Sequence, residues 1–172
     1  MITRQRWIER PFTFNTDPHL YPNVIERLRG TPVRLEELVS RISPDLYTHE
    51  PEHGWSIQEI AGHLVDVEQL HDFRLGQFIA GEKTLMAPDM SGKHTSEAGW
   101  NDRSMAEVLA KFRAVREAFV ARMEAVDDEL VSRAAHHVRL NCPMRLIDMA
   151  VFAAEHDDNH LAEIVERLRA ME

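Results

Sequence analysis

Cysteine is almost missing from this chain. Cys142 stands alone, so no intrachain disulfide can form and nothing implies an oxidising compartment. Long apolar runs are missing too: no window approaches the roughly 20 apolar residues a spanning helix needs, so no membrane partner is expected. Positive charge is scarce. Twenty Lys and Arg face 29 Asp and Glu, the formal net charge is -9, and the basic residues form no dense run. Such a balance suits neither nucleic acid nor an anionic membrane, and neither is expected as a partner. The N-terminal stretch Met1-Ile2-Thr3-Arg4-Gln5-Arg6-Trp7 lacks the apolar core of a signal peptide, so a cytoplasmic location is the expectation. A Gly-rich phosphate loop is lacking, which removes the case for a nucleotide enzyme. Strand-like alternation, internal repeats and low-complexity tracts are not found either.

What is present reads as helix. With 172 residues, 44% hydrophobic and 28% charged, the chain suits one folded domain over 1–172, with an irregular segment at 1–22. In that segment Trp7, Phe12, Phe14 and Tyr21 are spaced among Pro11, Pro18 and Pro22, and are expected to pack on the outside of a helical body. A short helix fits Asn23 to Arg29. Gly30-Thr31-Pro32 then punctuates, with Thr31 as a good N-cap and Pro32 suited to a first helical position. The following piece reaches about Ile42, either as a separate helix or as the far half of a kinked one. Ser56-Ile57-Gln58-Glu59 reads as a capping box opening a helix to about Ala80, stopped by Gly81. Ser104-Met105-Ala106-Glu107 is a second capping box, for a helix to about Ala125. A last helix spans about Arg145 to Met171. Four amphipathic helices predict an all-α four-helix bundle with extra short helices. The long connection 82–103 suits a crossover between helices two and three, which would then run parallel, up-down-down-up.

Three histidines stand out. His156 and His160 are four residues apart in the last helix, a spacing that stacks two imidazoles on one face, one turn apart. It is the spacing by which two histidines share a metal ion. His63 falls within the apolar stripe Ile57, Ile60, Leu64, Val67, Leu70, Phe78 of helix two and therefore points inward. Bundles build metal sites from facing helices. Three neutral imidazoles can hold a divalent transition metal, zinc, nickel or ferrous iron, and leave a position open. Inert core histidines are the competing reading, but each unpaired buried imidazole carries a desolvation cost, and three with two at ligand spacing favour the metal. Asp66, three after His63, and Asn159, three after His156, are the expected partners of the ring nitrogens facing away from the ion. Asp66 is also the first candidate for a general base, a structural hydrogen bond being the alternative. Glu155, Asp157 and Asp158 read as a solvated helix face. His71 drifts off the stripe. His53, His94, His136 and His137 fall in loops; His137 could reach the open end of the bundle, though ordinary exposure is the simpler reading. Nothing near Cys142 marks it as an activated thiol.

With these residues placed, the chain resembles the DinB/YfiT-like superfamily of metal-dependent enzymes. The resemblance runs through Gly54-Trp55-Ser56-Ile57-Gln58-Glu59-Ile60-Ala61-Gly62-His63-Leu64-Val65-Asp66-Val67-Glu68 with Arg74, and through Ala154-Glu155-His156-Asp157-Asp158-Asn159-His160-Leu161. Lys93-His94-Thr95, Glu97-Ala98, Asn101 and Leu28-Arg29-Gly30-Thr31-Pro32 also look familial, so it covers nearly the whole chain. It implies an up-down-down-up bundle, a three-histidine site holding zinc, nickel or a similar ion, and a homodimer. It also implies chemistry on a small-molecule substrate, as in S-transferases and an isomerase that use a low-molecular-weight thiol such as bacillithiol or mycothiol. Arg145 departs from the Ser or Thr cap expected before Leu146. Three functions follow for testing: a metal-dependent transferase or hydrolase, a non-catalytic metal-binding stress-response module, and a metal-free helical interaction protein.

Overall fold

The computed structural model describes residues 4–171; Met1–Thr3 of the irregular N-terminal segment lie outside the described residues. Helices α1 (Tyr21–Arg29) and α2 (Thr31–Val39) meet at Gly30, whose backbone stays right-handed helical. The two are therefore halves of one kinked helix. Pro32 causes the kink, because it has no N–H to offer the carbonyl of Leu28. Thr31 does not cap α2. It lies inside the helix, fully buried, and its hydroxyl donates to Asp157 Oδ2 at 2.8 Å.

Both capping boxes form. Ser56 opens α3 (Ile57–Ala80) and Ser104 opens α5 (Met105–Glu124), each with the reciprocal glutamate bond. Gly81 ends α3 at φ 72°, a left-handed conformation that costs glycine little. The last helix, α7 (Leu146–Met171), starts without a Ser or Thr cap; instead Asp148 Oδ2 accepts the Arg145 backbone N–H at 3.2 Å and the Arg145 guanidinium.

The connections hold more structure than their sequences announce. Residues 81–104 carry strand β1 (Thr84–Leu85) and the short helix α4 (Lys93–Glu97). Beyond α5 come α6 (Asp128–Ser132), β2 (Ala134–His137) and β3 (Cys142–Arg145). The expectation of no strands is corrected here: β2 pairs antiparallel with β3 and parallel with β1, in the order β1-β2-β3. These strands are too short for alternation to show in sequence, and half of their register comes from a segment about 50 residues away. Arg74 and Gln77 of α3 hold the incoming edge. Arg74 donates twice to the Met86 carbonyl, and Gln77 accepts from the Met86 N–H at 2.7 Å.

Two apolar clusters fill the bundle. One gathers Leu28, Leu75, Phe78, Phe119, Met123 and Ile147; the other gathers Leu35, Ile57, Ile60, Leu64, Phe112 and Ile164. The first cluster takes the start of the kinked helix and of α7 but the end of α3 and α5. Helices α3 and α5 therefore run parallel, and the kinked helix and α7 run opposite to them, which is the expected up-down-down-up bundle with its crossover. On each helix the break between clusters is filled by polar residues: Thr31, Glu68 and His71, Arg116, and His156 to His160. A polar layer thus crosses the middle of the bundle, and the site is part of it.

That layer is anchored by Arg116, 1% exposed. Its Nε and Nη2 donate to Glu68 at 2.8 Å each, its Nη1 and Nη2 donate to Asp157, and Nη1 reaches the Leu28 carbonyl at 3.0 Å. All five guanidinium N–H groups are used, one on the carbonyl that Pro32 left without a helical partner. Reading Asp157 as solvated is therefore corrected; it is 1% exposed. Glu155 and Asp158 are half-buried and paired with Arg10, Arg27 and Arg34. Local periodicity hid this because α7 is covered on most of its faces, and its acids are neutralised by arginines distant in sequence.

Candidate metal centre

His63 projects from α3 and His156 and His160 from the facing side of α7. Their Nε2 atoms converge. His156 Nε2 lies 3.1 Å from His160 Nε2 and 3.4 Å from His63 Nε2, and one ligand atom from each residue lies within 4.8 Å of the others. Imidazoles bound to one ion at about 2.0–2.1 Å in tetrahedral geometry would hold their nitrogens about 3.3 Å apart, so the donor set fits a divalent ion. Lone pairs aimed at a common point repel unless a proton or a cation lies between them. Burial first, then His160, pushes the His63 imidazole down to about 3, and burial and the neighbouring histidines hold His156 well below its usual range. Neutral rings are the form that ligates a metal.

His63 is oriented from behind. Its Nδ1 lies 3.1 Å from Thr95 Oγ1, and that hydroxyl donates to Asp66 Oδ2 at 3.0 Å. Because the hydroxyl proton goes to the carboxylate, the Thr95 oxygen accepts from His63 Nδ1–H, which leaves Nε2 with its lone pair facing the site. Trp100 Nε1 also donates to Asp66 Oδ2 at 3.0 Å, and His94 stands 3.5 Å from Oδ1. Trp100 can lie this close only because residue 62 is glycine: a Cβ there would meet its indole at 2.3 Å. Asp66 thus reaches His63 through Thr95 and does not line the cavity, a placement that suits an orienting group rather than a base acting on substrate.

His160 Nδ1 has Glu163 Oε2 at 3.2 Å, close but too oblique for a good hydrogen bond. Burial works to raise the Glu163 carboxyl, yet His160 and Arg167 hold it down to about 2. The i, i+3 spacing of Glu163 from His160 is a signal available in sequence. Asn159 does not serve His156; its Oδ1 accepts from Arg4 at 3.0 Å. His156 Nδ1 is buried without a hydrogen-bond partner among the described residues, its ring instead meeting Trp7 edge-on at 5.1 Å. Trp55 covers His63 at 4.5 Å. The N-terminal aromatics do pack on the bundle, with Trp7 and Phe12 against Phe152.

Two low-ranked histidines are corrected. His71 is 2% exposed, 6.4 Å from the His156 ring and 3.7 Å from Glu68. His137 is 1% exposed, not a surface residue, because β2 turns it inward. Cys142 is half-buried outside the cavity, with burial raising its thiol.

The histidines line a cavity of about 350 Å³ between α3 and α7. Trp7, Trp55, Val67, Leu70 and Phe152 make its apolar walls, and residues of the N-terminal segment, the 88–92 stretch and the β2–β3 hairpin also line it. This is the size and character of a small-molecule site.

A bundle of this topology with three inward histidines defines a class, and the sequence places the chain in it: residues 27–164 match the DinB superfamily, and the chain belongs to that superfamily. Among solved structures it is similar to YfiT from Bacillus subtilis, described as a probable metal-dependent hydrolase with an unusual four-helix bundle topology. The TM-score is 0.81 at 18% identity, covering 95% of this chain and 94% of that one. It is also similar to the colibactin self-resistance protein ClbS, solved in complex with a dsDNA, with a TM-score of 0.63 at 14% identity over 87% of this chain and 95% of that one. No curated protein sequence matches. At these identities the likeness is one of fold.

Proposed function

We propose that this protein is a metal-dependent enzyme acting on a small molecule, by S-transfer from a low-molecular-weight thiol or by hydrolysis, with His63, His156 and His160 as the metal ligands. The observation that carries the reading is the convergence of three imidazole Nε2 atoms at the wall of an open cavity. A bound zinc, nickel or ferrous ion would lower the pKa of a coordinated water or thiol and supply a nucleophile near neutral pH. The Asp66–Thr95 pair fixes the His63 tautomer, Glu163 stands behind His160, and the walls of Trp7, Trp55 and Phe152 limit water around the reacting group. The YfiT description supports the hydrolytic arm by analogy of fold. The same reading takes the protein as a cytoplasmic homodimer without nucleic-acid or membrane partners. Its acid excess argues against the DNA binding seen with ClbS, and no helix among the described residues is long and apolar enough to cross a membrane.

The test is elemental analysis of untagged protein beside His156→Ala. Near-stoichiometric transition metal in the native chain and loss of it in the variant are expected. Unchanged metal content and thermal stability in the variant would refute the metal, and a metal-loaded protein that turns over neither ester nor thiol-plus-electrophile substrates would favour the non-catalytic module.

A further inference from the structure

The far end of the cavity is cationic in a protein that carries an excess of acid. Arg74 is 2% exposed, lines the cavity and spends Nε and Nη2 on the Met86 carbonyl, leaving Nη1 uncommitted. Arg139 also lines it, with its guanidinium 5.8 Å from the Phe152 ring centre. Among the described residues neither has a carboxylate within ion-pair distance, whereas Arg4, Arg6, Arg10, Arg27, Arg113, Arg116 and Arg145 all do. A buried guanidinium without a counter-ion is costly, so Arg74, with the half-buried Arg139 facing the same cavity, calls for an anion there.

His137 adds an independent donor. Its Nδ1 accepts the Leu140 backbone N–H at 3.2 Å, so the ring proton of the neutral form sits on Nε2. That Nε2 is buried and has no partner among the described residues, and the residue lines the same cavity. Burial, then Arg74 and Arg139, push the ring down to about 4, which keeps it neutral and marks the two arginines as neighbours. Two acids also line the cavity: Asp89, exposed to solvent and accepting the Ser91 N–H, and Glu163, which stands with His160 and Arg167 at the metal end.

We propose that Arg74, Arg139 and the Nε2–H of His137 form a subsite for the carboxylate of an organic acid, whose other end reaches the three-histidine centre. This deepens the enzymatic reading above and rests on it for the role of the cavity, but the subsite is built of residues that do not touch the metal. Arg74 follows His63 by eleven positions on α3, about three turns, so the subsite and the three-histidine centre occupy different levels of one cavity. The apolar walls between, Val67, Leu70 and Phe152, fit an aliphatic or aromatic middle. The forked guanidinium suits a planar carboxylate, and the His137 N–H supplies a further donor.

The probe is hexanoate against its uncharged counterpart hexanamide, titrated by NMR chemical shift into the full chain, both as purified and after chelator treatment. Hexanoate is expected to bind about ten-fold or more tighter than hexanamide in both forms, with the largest shifts at residues 74 and 137–140. Arg139→Gln, a half-buried position whose loss leaves the Met86 carbonyl held, is expected to abolish most of that preference. Arg6→Gln, on the same cavity but paired with Glu9, is expected to leave it intact. Equal binding of the two probes, a preference that survives Arg139→Gln, or an equal loss in Arg6→Gln would each overturn the subsite. A preference lost on chelation would also overturn it, by placing the carboxylate on the metal. Because the chelated form reads the subsite alone, failure here is distinguishable from failure of the metal reading.

Discussion

Thr95→Val is the sharpest test of how the site is built. The substitution keeps the shape of a side chain that is 3% exposed and removes one oxygen. That oxygen accepts from His63 Nδ1 at 3.1 Å and passes its own proton to Asp66 at 3.0 Å. Without it, a buried imidazole N–H loses its acceptor and the ring is free to take the other tautomer, which turns an N–H toward the ion. Outer partners of this kind change metal affinity by about 10- to 100-fold, equivalent to about 1.4–2.7 kcal/mol. The metal-free protein should lose about 1–3 kcal/mol, the cost of one unsatisfied buried group. At about 2–4 °C per kcal/mol for a chain of this size, its Tm should fall by about 2–12 °C. Zinc competition against a chelator gives the first quantity and calorimetry of the metal-free protein the second. Thr95→Ser, which keeps the hydroxyl, should recover most of the affinity. If Thr95→Val binds zinc within about two-fold of the native protein while its stability falls as expected, the hydroxyl is structural only and the tautomer argument is wrong.

Further outcomes follow from the polar layer. Arg116→Met leaves Glu68, Asp157 and the Leu28 carbonyl buried without their cation, and should cost about 3–5 kcal/mol, read as a calorimetric Tm fall of about 6–20 °C; a fall below 3 °C would refute its anchoring role. The metal-free protein should lose stability as pH falls. The folded pKa values of His63, about 3, and of His156, well below normal, lie under the unfolded value near 6.5. Below that value the unfolded chain binds protons that the folded chain refuses, so stability is full above about pH 6.5 and declines toward pH 3. Glu163, held at about 2, and Glu68, held low by Arg116 and His71 against the effect of burial, add to the loss below about pH 4.5. A Tm that stays flat between pH 7 and 5 would contradict this.

The amino-acid sequence by itself determined the four helices of the bundle and the identity of the convergent histidines, but not the short helices α4 and α6. Capping boxes at Ser56 and Ser104, a glycine stop at position 81 and an i, i+4 histidine pair are local patterns, each written within a few residues. Helical periodicity sufficed to turn His63 inward, since the stripe it belongs to is apolar. Periodicity failed where burial was polar. Asp157, His71 and Glu68 are as buried as the leucines around them, but only because Arg116, from another helix, supplies a counter-charge that no local window contains. Likewise His137 looked like a loop residue until β1 and β3, one from the crossover and one from a later segment, fixed the strand that aims it into the cavity. Thr95 is distant from His63 in sequence, and Asp66 takes its orienting role only through it. Spacing along one helix is set by the backbone repeat and can be read from the chain. Contacts between segments depend on how the bundle closes, and the tertiary structure alone decided which polar groups were neutralised, which were oriented, and which were left facing the cavity for a ligand.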